Sequence, residues 1–516
     1  MSGIDTIAKL ARIHGAERSG SPALTAGDRT LTYAELDARS SQVANALAAE
    51  GVGAEDRVAY LDKNTIEYFE LLLGGAKLNA VNVAVNWRLA PPEVAYIVND
   101  AQAKVFVVGE DFVPVLEAIQ SELTTVKKFI VVGRDYEDWV SSQSTTDPGV
   151  DAKPGDVAFQ LYTSGTTGLP KGVMLTNNNL FSLLGEVTDD WLFDSNSVNL
   201  VAMPLFHIGG SGYATVGMFC GCHTILMKEV DPNAMLAMIP EKGITNMFAV
   251  PAVLQFMVSQ PSAATTDFST LRCIVYGASP ISVEVLSKSI ETFKCSFIQA
   301  YGLTETTGAI VALMPEDHDP NGKYAHRLRS AGKAISGVEL RIVSADTGED
   351  AEQGEVGEIW SRTGQNMLGY WNNPEETAKT ITADGWLKTG DAGYLDEDGY
   401  LYIHDRVKDM IVSGGENIYP AEVENALMSH PDIADVAVIG VPSDKWGETV
   451  KALVVKKEGA DPTPESIIAF AKERIASFKC PTSVDWIDAL PRNPSGKILK
   501  RELRAPYWEG KGRNVG

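Results

Sequence analysis

One short segment, residues 163–172, constrains this chain more than any other feature. It reads Thr163-Ser164-Gly165-Thr166-Thr167-Gly168-Leu169-Pro170-Lys171-Gly172, with four hydroxyl side chains, three glycines and one lysine. Glycines let backbone N–H groups approach oxygen atoms closely, while hydroxyls and a lysine add donors and positive charge. A β-like run at 156–162 precedes the segment and a helix-like run at 178–187 follows it. We interpret the segment as a loop that holds phosphate groups.

The order of residues in this loop excludes a Walker A motif. Pro170 stands where that motif needs its second glycine, and Gly172 follows the lysine where a serine or threonine is needed. Phosphate must therefore be held in another way. The alternative interpretation is an ordinary solvated loop, which is what most runs of Ser, Thr and Gly form.

Four further motifs follow the loop along the chain. They are Tyr301-Gly302-Leu303-Thr304-Glu305, Trp386-Leu387-Lys388-Thr389-Gly390-Asp391, Asp405-Arg406-Val407-Lys408-Asp409 and Pro494-Ser495-Gly496-Lys497. With the loop, and in this order, they resemble the adenylate-forming superfamily of acyl-CoA synthetases, luciferases and peptide-synthetase adenylation domains, and within it the fatty acyl-CoA ligases. The resemblance covers residues 30–503.

Composition is typical of a large soluble enzyme. The chain has 516 residues, of which 44% are apolar and 22% charged, so more than one domain is expected. No signal peptide or spanning segment is recognisable, and the odd number of five cysteines favours a reducing compartment, so we expect a cytoplasmic protein. The cluster of Cys220, Cys222 and His223 lies in a stretch at 213–227 that we interpret as β-like, with buried thiols and no metal.

The net charge of -24 limits the partners of this protein. From Lys408 onwards there are 15 Lys and Arg against 16 Asp and Glu, which leaves 29 against 52 upstream, so the acidic excess lies in the N-terminal part. Nucleic acid is therefore not expected as a partner. An anionic membrane would repel most of the surface, although peripheral contact through a local basic patch stays open, as does a homodimer.

Alternating helical and strand-like patterns predict an α/β fold. Thr32 and Glu35 form a capping box before a helix that Gly51 ends, residues 57–61 and 80–85 are predicted strands, and residues 66–78 are a predicted helix between them. We predict a large N-terminal domain at 1–405, made of α/β subdomains and a small β-barrel-like subdomain. A hinge at 406–409 and a small mobile α+β domain at 410–516 complete the prediction.

The resemblance implies a nucleotide site. In the family, residues matching Thr163 and Glu305 hold Mg²⁺ on the phosphates of ATP, and the residue matching Lys497 bridges the α-phosphate and the substrate carboxylate. Pyrophosphate would be positioned by Lys171 with Ser164, Gly165, Thr166 and Thr167. The nucleoside would be held by Tyr301, Gly302 and Thr304, by the wall Gly277-Ala278-Ser279, and by Asp391 with Arg406.

The resemblance also implies a second step in which coenzyme A accepts the acyl group. Lys408 matches the hinge residue about which the small domain turns, and Gly414 and Gly415 would then line a passage for the pantetheine arm. Trp446 is expected at the mouth of that passage. A turn is the alternative interpretation of the two glycines.

The acid itself is the least constrained part of the prediction. His207 and Gly210 belong to a segment, 204–210, that resembles the family motif at the carboxylate pocket, and Phe248 and Val250 would supply an apolar wall. The segment lacks the aspartate that amino-acid-activating relatives pair with the amino group of their substrate, so an amino acid is not favoured as the substrate. A medium- or long-chain fatty acid is favoured, while an aryl or sterol-derived acid, or loading of an external carrier protein, stays open. The sequence lacks the Gly-X-Ser-X-Gly elbow of a serine hydrolase, so that class of enzyme is not expected.

Overall fold

The computed structural model describes residues 3–163, 169–279, 281–344, 347–406, 409–413, 416–443, 446–492 and 498–509. The chain forms two compact units. The first contains Met1–Leu328, Ala334–Glu339 and Ser361–Leu387, and the second contains Arg329–Lys333, Leu340–Trp360 and Lys388–Gly516. The hinge expected at 406–409 stays a prediction, because residues 407 and 408 lie outside the described residues.

Almost all residues of two large sheets belong to the first unit. The nine-stranded sheet is built from β1 (Pro22–Ala26), β2 (Arg29–Thr32), β9 (Val198–Val201), β10 (His223–Leu226), β11 (Asn246–Ala249), β12 (Cys273–Gly277), β13 (Ser296–Leu303), β14 (Gly308–Leu313) and β15 (Lys333–Ala334). Its spatial order is β15-β14-β13-β12-β11-β9-β10-β1-β2. The inner strands β13, β12, β11, β9 and β10 are parallel, which places their carboxyl ends on one edge.

The seven-stranded sheet is built from β3 (Arg57–Leu61), β4 (Val81–Ala84), β5 (Val105–Gly109), β6 (Lys128–Val132), β7 (Val157–Thr163), β8 (Lys171–Thr176) and β18 (Gly369–Tyr370). Its order is β18-β8-β7-β4-β3-β5-β6. Strands β7 and β8 are antiparallel, with Thr163 paired to Lys171. These two residues flank the proposed phosphate loop, of which residues 164–168 lie outside the described residues.

The helices of the first unit accompany more than one apolar core, and one of these cores includes residues of both sheets. These helices are α1 (Ile7–Glu17), α2 (Tyr33–Ala49), α3 (Ile66–Ala76), α4 (Pro91–Asp100), α5 (Val113–Ile119), α6 (Tyr136–Ser141), α7 (Asn177–Asp190), α8 (Ile208–Phe219), α9 (Pro232–Lys242), α10 (Pro251–Ser259), α11 (Val283–Phe293) and α12 (Pro374–Thr380). Among the described residues, no helix combines the length and apolarity that crossing a bilayer requires.

The second unit has its own strands and helices. Most residues of a four-stranded sheet, ordered β16 (Glu339–Val343), β17 (Gly357–Arg362), β19 (Leu387–Leu395) and β20 (Leu401–Arg406), belong to it. A further sheet follows the order β22 (Glu416–Ile418), β21 (Ile411–Ser413), β24 (Gly447–Lys456) and β23 (Ile433–Ser443), with β25 (Ser483–Trp486) also on β24. The helices α13 (Pro420–Met428), α14 (Pro464–Lys472) and α15 (Lys500–Trp508) complete it.

The α/β fold is confirmed, and local signals placed several elements well. The capping box of Thr32 and Glu35 is formed at the start of α2, and β3 has the predicted bounds. The β-like interpretation of 213–227 is wrong, because α8 runs to Phe219 and only β10 is a strand there. A continuous apolar run fits a buried helix as well as a buried strand. Cys220 and Cys222 are free, buried thiols.

Candidate active site

The carboxyl edge of the nine-stranded sheet collects candidate residues that are far apart in sequence. Strands β9, β11, β12 and β13 are neighbours there. The segment 204–210 follows β9, Val250 follows β11, Ala278 follows β12, and Glu305 follows β13. In open parallel sheets this edge is where ligands bind, because loops from neighbouring strands converge there.

The candidate nucleoside residues lie side by side on β12 and β13. Gly277 is the Cα partner of Ala300, and a Cβ at Gly277 would come within 2.2 Å of the Ala300 carbonyl oxygen. Ala278 then adopts a left-handed backbone with φ 66°, an uncommon conformation for alanine. Half-buried Tyr301 comes directly after Ala300. The wall predicted around adenine is therefore brought together by strand register. Three other nucleoside candidates lie alongside: Ser279 after Ala278, Gly302 on β13 and Thr304 in the next turn.

Thr163 and Glu305 come together from different sheets. The Thr163 hydroxyl lies 3.5 Å from Oε1 of Glu305, and Thr163 ends β7. The hydroxyl of Tyr370 donates to the same carboxylate oxygen at 3.0 Å. Burial, followed by the nearby Glu305 carboxylate, raises the pKa of Tyr370 far above its ordinary value, so Tyr370 is a donor throughout the physiological range. The three groups form an oxygen-rich cluster.

Lys171 lies beside this cluster on β8. Its ammonium group is ion-paired with the Glu376 carboxylate on α12 and lies 5.0 Å from the centre of the Tyr370 ring. The hydrogen bond from Lys171 is the main cause that lowers the pKa of Glu376. Lys171, which is expected to bind phosphate, is thus ion-paired with a carboxylate of the protein itself.

His207 caps the N-terminus of α8. Its Nδ1 accepts a hydrogen bond from Gly209 N at 3.0 Å, which leaves the proton on Nε2 when the ring is neutral. Burial lowers the pKa of His207 to about 4. A Cβ at Gly210 would lie 2.1 Å from the Pro204 carbonyl oxygen, so this glycine is required by backbone packing and not merely by room for a ligand.

The predicted apolar wall is buried beside this histidine. Phe248 lies on β11, and a Cβ at Gly209 would be 3.8 Å from its ring. Val250 is also buried and precedes α10. The Phe248 ring packs against Tyr213 of α8 with 5.7 Å between ring centres. His207 and Phe248 therefore lie close together at the strand ends, and Val250 stands two residues after Phe248.

Other candidates belong to the second unit. Buried Asp391 on β19 is the Cα partner of Arg406 on β20. Trp446 is 47% exposed in the turn before β24, and the next residue, Gly447, is paired with Ser413 of β21. The remaining predicted site residues lie outside the described residues: Ser164, Gly165, Thr166, Thr167, Lys408, Gly414, Gly415 and Lys497.

Sequence reasoning missed Tyr370 and Glu376. Tyr370 reaches the cluster because β18 pairs with β8, and Glu376 because α12 follows that short strand. A two-residue strand carries no periodicity, so no sequence pattern indicates this pairing.

Comparison with known proteins agrees with these features. The AMP-binding enzyme family model matches residues 12–371, and the AMP-binding enzyme C-terminal domain model matches residues 422–497. The first match contains the motifs at 163–172 and 301–305, and the second contains the motif at 494–497.

Individual relatives cover almost the whole chain. The fatty acid–acyl-carrier-protein ligase ScoC of Streptomyces coeruleorubidus is 40% identical over 99% of this chain and 98% of its own length. The long-chain-fatty-acid–CoA ligase FadD13 of Mycobacterium tuberculosis is 37% identical over 93% of this chain and 94% of its own. The structure of ATP-bound MatB from Rhodopseudomonas palustris is similar with a TM-score of 0.90 at 29% identity, covering 98% of this chain and 100% of that one. The chain belongs to the AMP-binding enzyme family, the adenylate-forming superfamily of acyl-CoA synthetases that its motifs predict.

Proposed function

We propose that this protein joins a medium- or long-chain fatty acid to coenzyme A, at the expense of ATP, through an acyl-adenylate. The observation that carries the proposal is the meeting of two kinds of site on one sheet edge. The Thr163–Glu305 cluster supplies oxygen ligands and donors for phosphates, and His207 with buried Phe248 supplies a carboxylate end and an apolar wall. An acid and a nucleotide held there would be neighbours.

In the first step a carboxylate oxygen attacks the α-phosphorus of ATP, and pyrophosphate leaves as the acyl-phosphate bond forms. The step crowds several negative oxygens together. Lys171 and Lys497 would each offset part of that charge, the first on the departing pyrophosphate and the second between the α-phosphate and the carboxylate. Pyrophosphate must then displace Glu376 from Lys171 or share the lysine with it.

Thr163 and Glu305 would hold Mg²⁺. A hydroxyl and a carboxylate only 3.5 Å apart fit this ion, which favours oxygen ligands and takes few from the protein when phosphates supply the rest. When bound, Mg²⁺ neutralises phosphate charge. Tyr370 would orient the Glu305 carboxylate by its hydrogen bond to Oε1.

His207 would act as a neutral donor towards the acid. With Nδ1 occupied by Gly209 N, the ring presents Nε2–H, which can donate to one carboxylate oxygen without adding a formal charge. The nucleoside would lie over Tyr301 against the Gly277-Ala278-Ser279 wall, with its ribose hydroxyls on Asp391. Strand register supports the first two assignments, since Gly277 pairs with Ala300.

In the second step the thiol of coenzyme A attacks the acyl carbonyl, AMP leaves, and the thiol proton is lost. We propose that the small domain turns about Lys408 between the steps and that Gly414, Gly415 and Trp446 then line the thiol passage. The proposal is supported by the pairing of Ser413, which precedes Gly414, with Gly447, which follows Trp446. A cytoplasmic location and a homodimer stay predictions from the sequence.

A carrier protein is the second candidate acceptor. The similarity to ScoC, at 40% identity over nearly the full chain, favours this alternative over other changes of substrate. Relatives at comparable identity are also named feruloyl-CoA synthase and indoleacetate–CoA ligase, so aryl acids belong in any test.

The test is acid-dependent AMP release across fatty, aryl and sterol-side-chain acids, with coenzyme A, with a phosphopantetheinylated carrier protein, or with neither. AMP and an acyl-CoA formed together from fatty acids support the proposal. If the adenylate reacts only with the carrier protein, then the carrier protein and not coenzyme A is the acceptor. Failure to release AMP with every acid tested would overturn the proposed activity itself.

Lys497→Ala separates the two steps. Adenylate formation should fall by at least about a hundredfold, because the charge between phosphate and carboxylate is lost. Thioester formation from supplied acyl-adenylate should be nearly unchanged. Equal loss in both steps would contradict the role of Lys497, and Lys500→Ala, three residues along the chain, is the control.

A further inference from the structure

A row of buried polar residues crosses the nine-stranded sheet beneath α8. Asn199 on β9 is the Cα partner of Thr224 on β10 and of Asn246 on β11, and Asn246 is in turn the partner of Cys273 on β12. Residues in register on parallel strands face the same side of a sheet. All four are fully buried. Polar side chains at this depth are expected to be hydrogen-bonded.

Asn246 meets that expectation and Asn199 does not. The Asn246 amide donates to the Trp191 carbonyl at 2.9 Å and accepts from the Thr245 hydroxyl at 2.6 Å. Among the described residues, neither the nitrogen nor the oxygen of the Asn199 amide has a hydrogen-bond partner. The hydroxyl of Tyr213 is also buried, and it too has no hydrogen-bond partner among the described residues. Each such group destabilises the folded protein if it stays unsatisfied.

These groups converge on one face of α8. A Cβ at Gly217 would lie 2.7 Å from Nδ2 of Asn199 and 3.2 Å from Oγ1 of Thr224. Tyr213 lies four residues earlier, one turn along the same face. The helix thus carries a tyrosine and a glycine towards the unpaired amide.

The same helix begins at the proposed carboxylate pocket. His207 caps it, and the Phe248 ring lies between the Gly209 end and Tyr213, 5.7 Å from the Tyr213 ring centre. Gly209 and Gly217 are eight residues apart, which is about 12 Å along a helix axis. The polar cluster therefore lies about one medium-length acyl chain beyond the reacting end.

We propose that Asn199, Thr224 and Tyr213 form a polar end to the acyl pocket, which selects a medium-chain acid carrying a hydroxyl or carbonyl oxygen near its far end. This inference rests on the proposed function. An amide can both donate to such an oxygen and accept from a hydroxyl, and the tyrosine adds a second donor. A plain alkyl chain would leave these buried groups unpaired, which is how hydrogen-bonding sites reject analogues.

The experiment compares ω-hydroxydecanoic acid with decanoic acid in AMP release by the full-length protein. We expect kcat/KM for ω-hydroxydecanoic acid to exceed kcat/KM for decanoic acid by about tenfold or more. Asn199→Leu should reverse the preference, because it replaces the amide by an apolar group of similar size. Tyr213→Phe and Thr224→Val, which keep side-chain shape, should each lower the ratio.

Asn82→Leu is the matched control. Asn82 is a buried asparagine on β4 of the other large sheet, and its Oδ1 also lacks a partner among the described residues. Its substitution should leave the ratio unchanged. Equal use of both acids by the wild-type protein, or a ratio that none of the three substitutions alters, would overturn the polar end while leaving acid activation intact. No AMP from either acid would overturn the proposed function instead.

Discussion

The hydroxyl of Tyr370 donates a hydrogen bond to Oε1 of Glu305 at 3.0 Å, although 65 residues separate the two in sequence. The same carboxylate oxygen lies 3.5 Å from the Thr163 hydroxyl. One carboxylate is thus approached from β7 and from β18, two strands of the seven-stranded sheet. Its orientation depends on the tertiary structure.

Tyr370→Phe tests that dependence. Loss of the donor should leave Glu305 less well oriented, and the Mg²⁺ concentration for half-maximal adenylation should rise by about tenfold. The phenylalanine ring preserves packing. Tyr324→Phe, which changes an exposed tyrosine, should have no effect. An unchanged Mg²⁺ dependence would show that Tyr370 does not position the carboxylate.

Glu376→Gln tests the ion pair with Lys171. The variant removes a carboxylate that competes with phosphate for the lysine, so the KM for ATP should fall by about threefold or more, because this pair is less exposed than the surface pairs for which such small effects are typical. Glu375→Gln removes the same charge from the exposed neighbouring residue and should change KM much less. A higher KM in Glu376→Gln would mean that Glu376 positions Lys171 for phosphate.

Gly210→Ala should destabilise the protein by about 3 kcal/mol, because its Cβ would lie 2.1 Å from a backbone oxygen that cannot rotate away. The midpoint of thermal unfolding reports this. Gly185→Ala lies in the exposed interior of α7 with nothing within 4 Å of the added Cβ. It should stabilise by up to about 1 kcal/mol through helix propensity. Equal effects of the two substitutions would contradict the close approach at Gly210.

The lowered pKa of His207 should make the stability of the folded protein depend on pH. Its pKa is about 4 in the folded protein, below the ordinary value of 6.5, so the unfolded chain binds more protons between these values. Stability should therefore fall as pH drops from 7 towards 4, by about 2 to 3 kcal/mol from this residue. His207→Asn keeps a capping acceptor and should flatten the slope between pH 6.5 and 4.

Unfolding by denaturant at several pH values measures the slope. His326→Asn changes an exposed histidine and should leave it as in the wild type. A slope that is equal in wild type and His207→Asn would show that the ring is not held neutral by burial. Other buried groups titrate in both proteins and cancel in this comparison.

The sequence by itself determined the family and the α/β class, and it supplied the site residues that stay predictions. Those signals are local: a capping box at Thr32, a strand-like run before Thr163, and motifs whose residue order is diagnostic. The sequence-based prediction of a β-like stretch at 213–227 was wrong, because a long apolar run fits a helix and a strand equally well.

Only the tertiary structure decided which groups meet. The pairing of β18 with β8 brings Tyr370 to Glu305, and α12 then supplies Glu376 to Lys171. The register of β9 with its neighbours leaves Asn199 buried without a partner among the described residues, while Asn246 beside it is satisfied. Strand order and register depend on packing between residues that are distant in sequence, and local propensity carries no information about them.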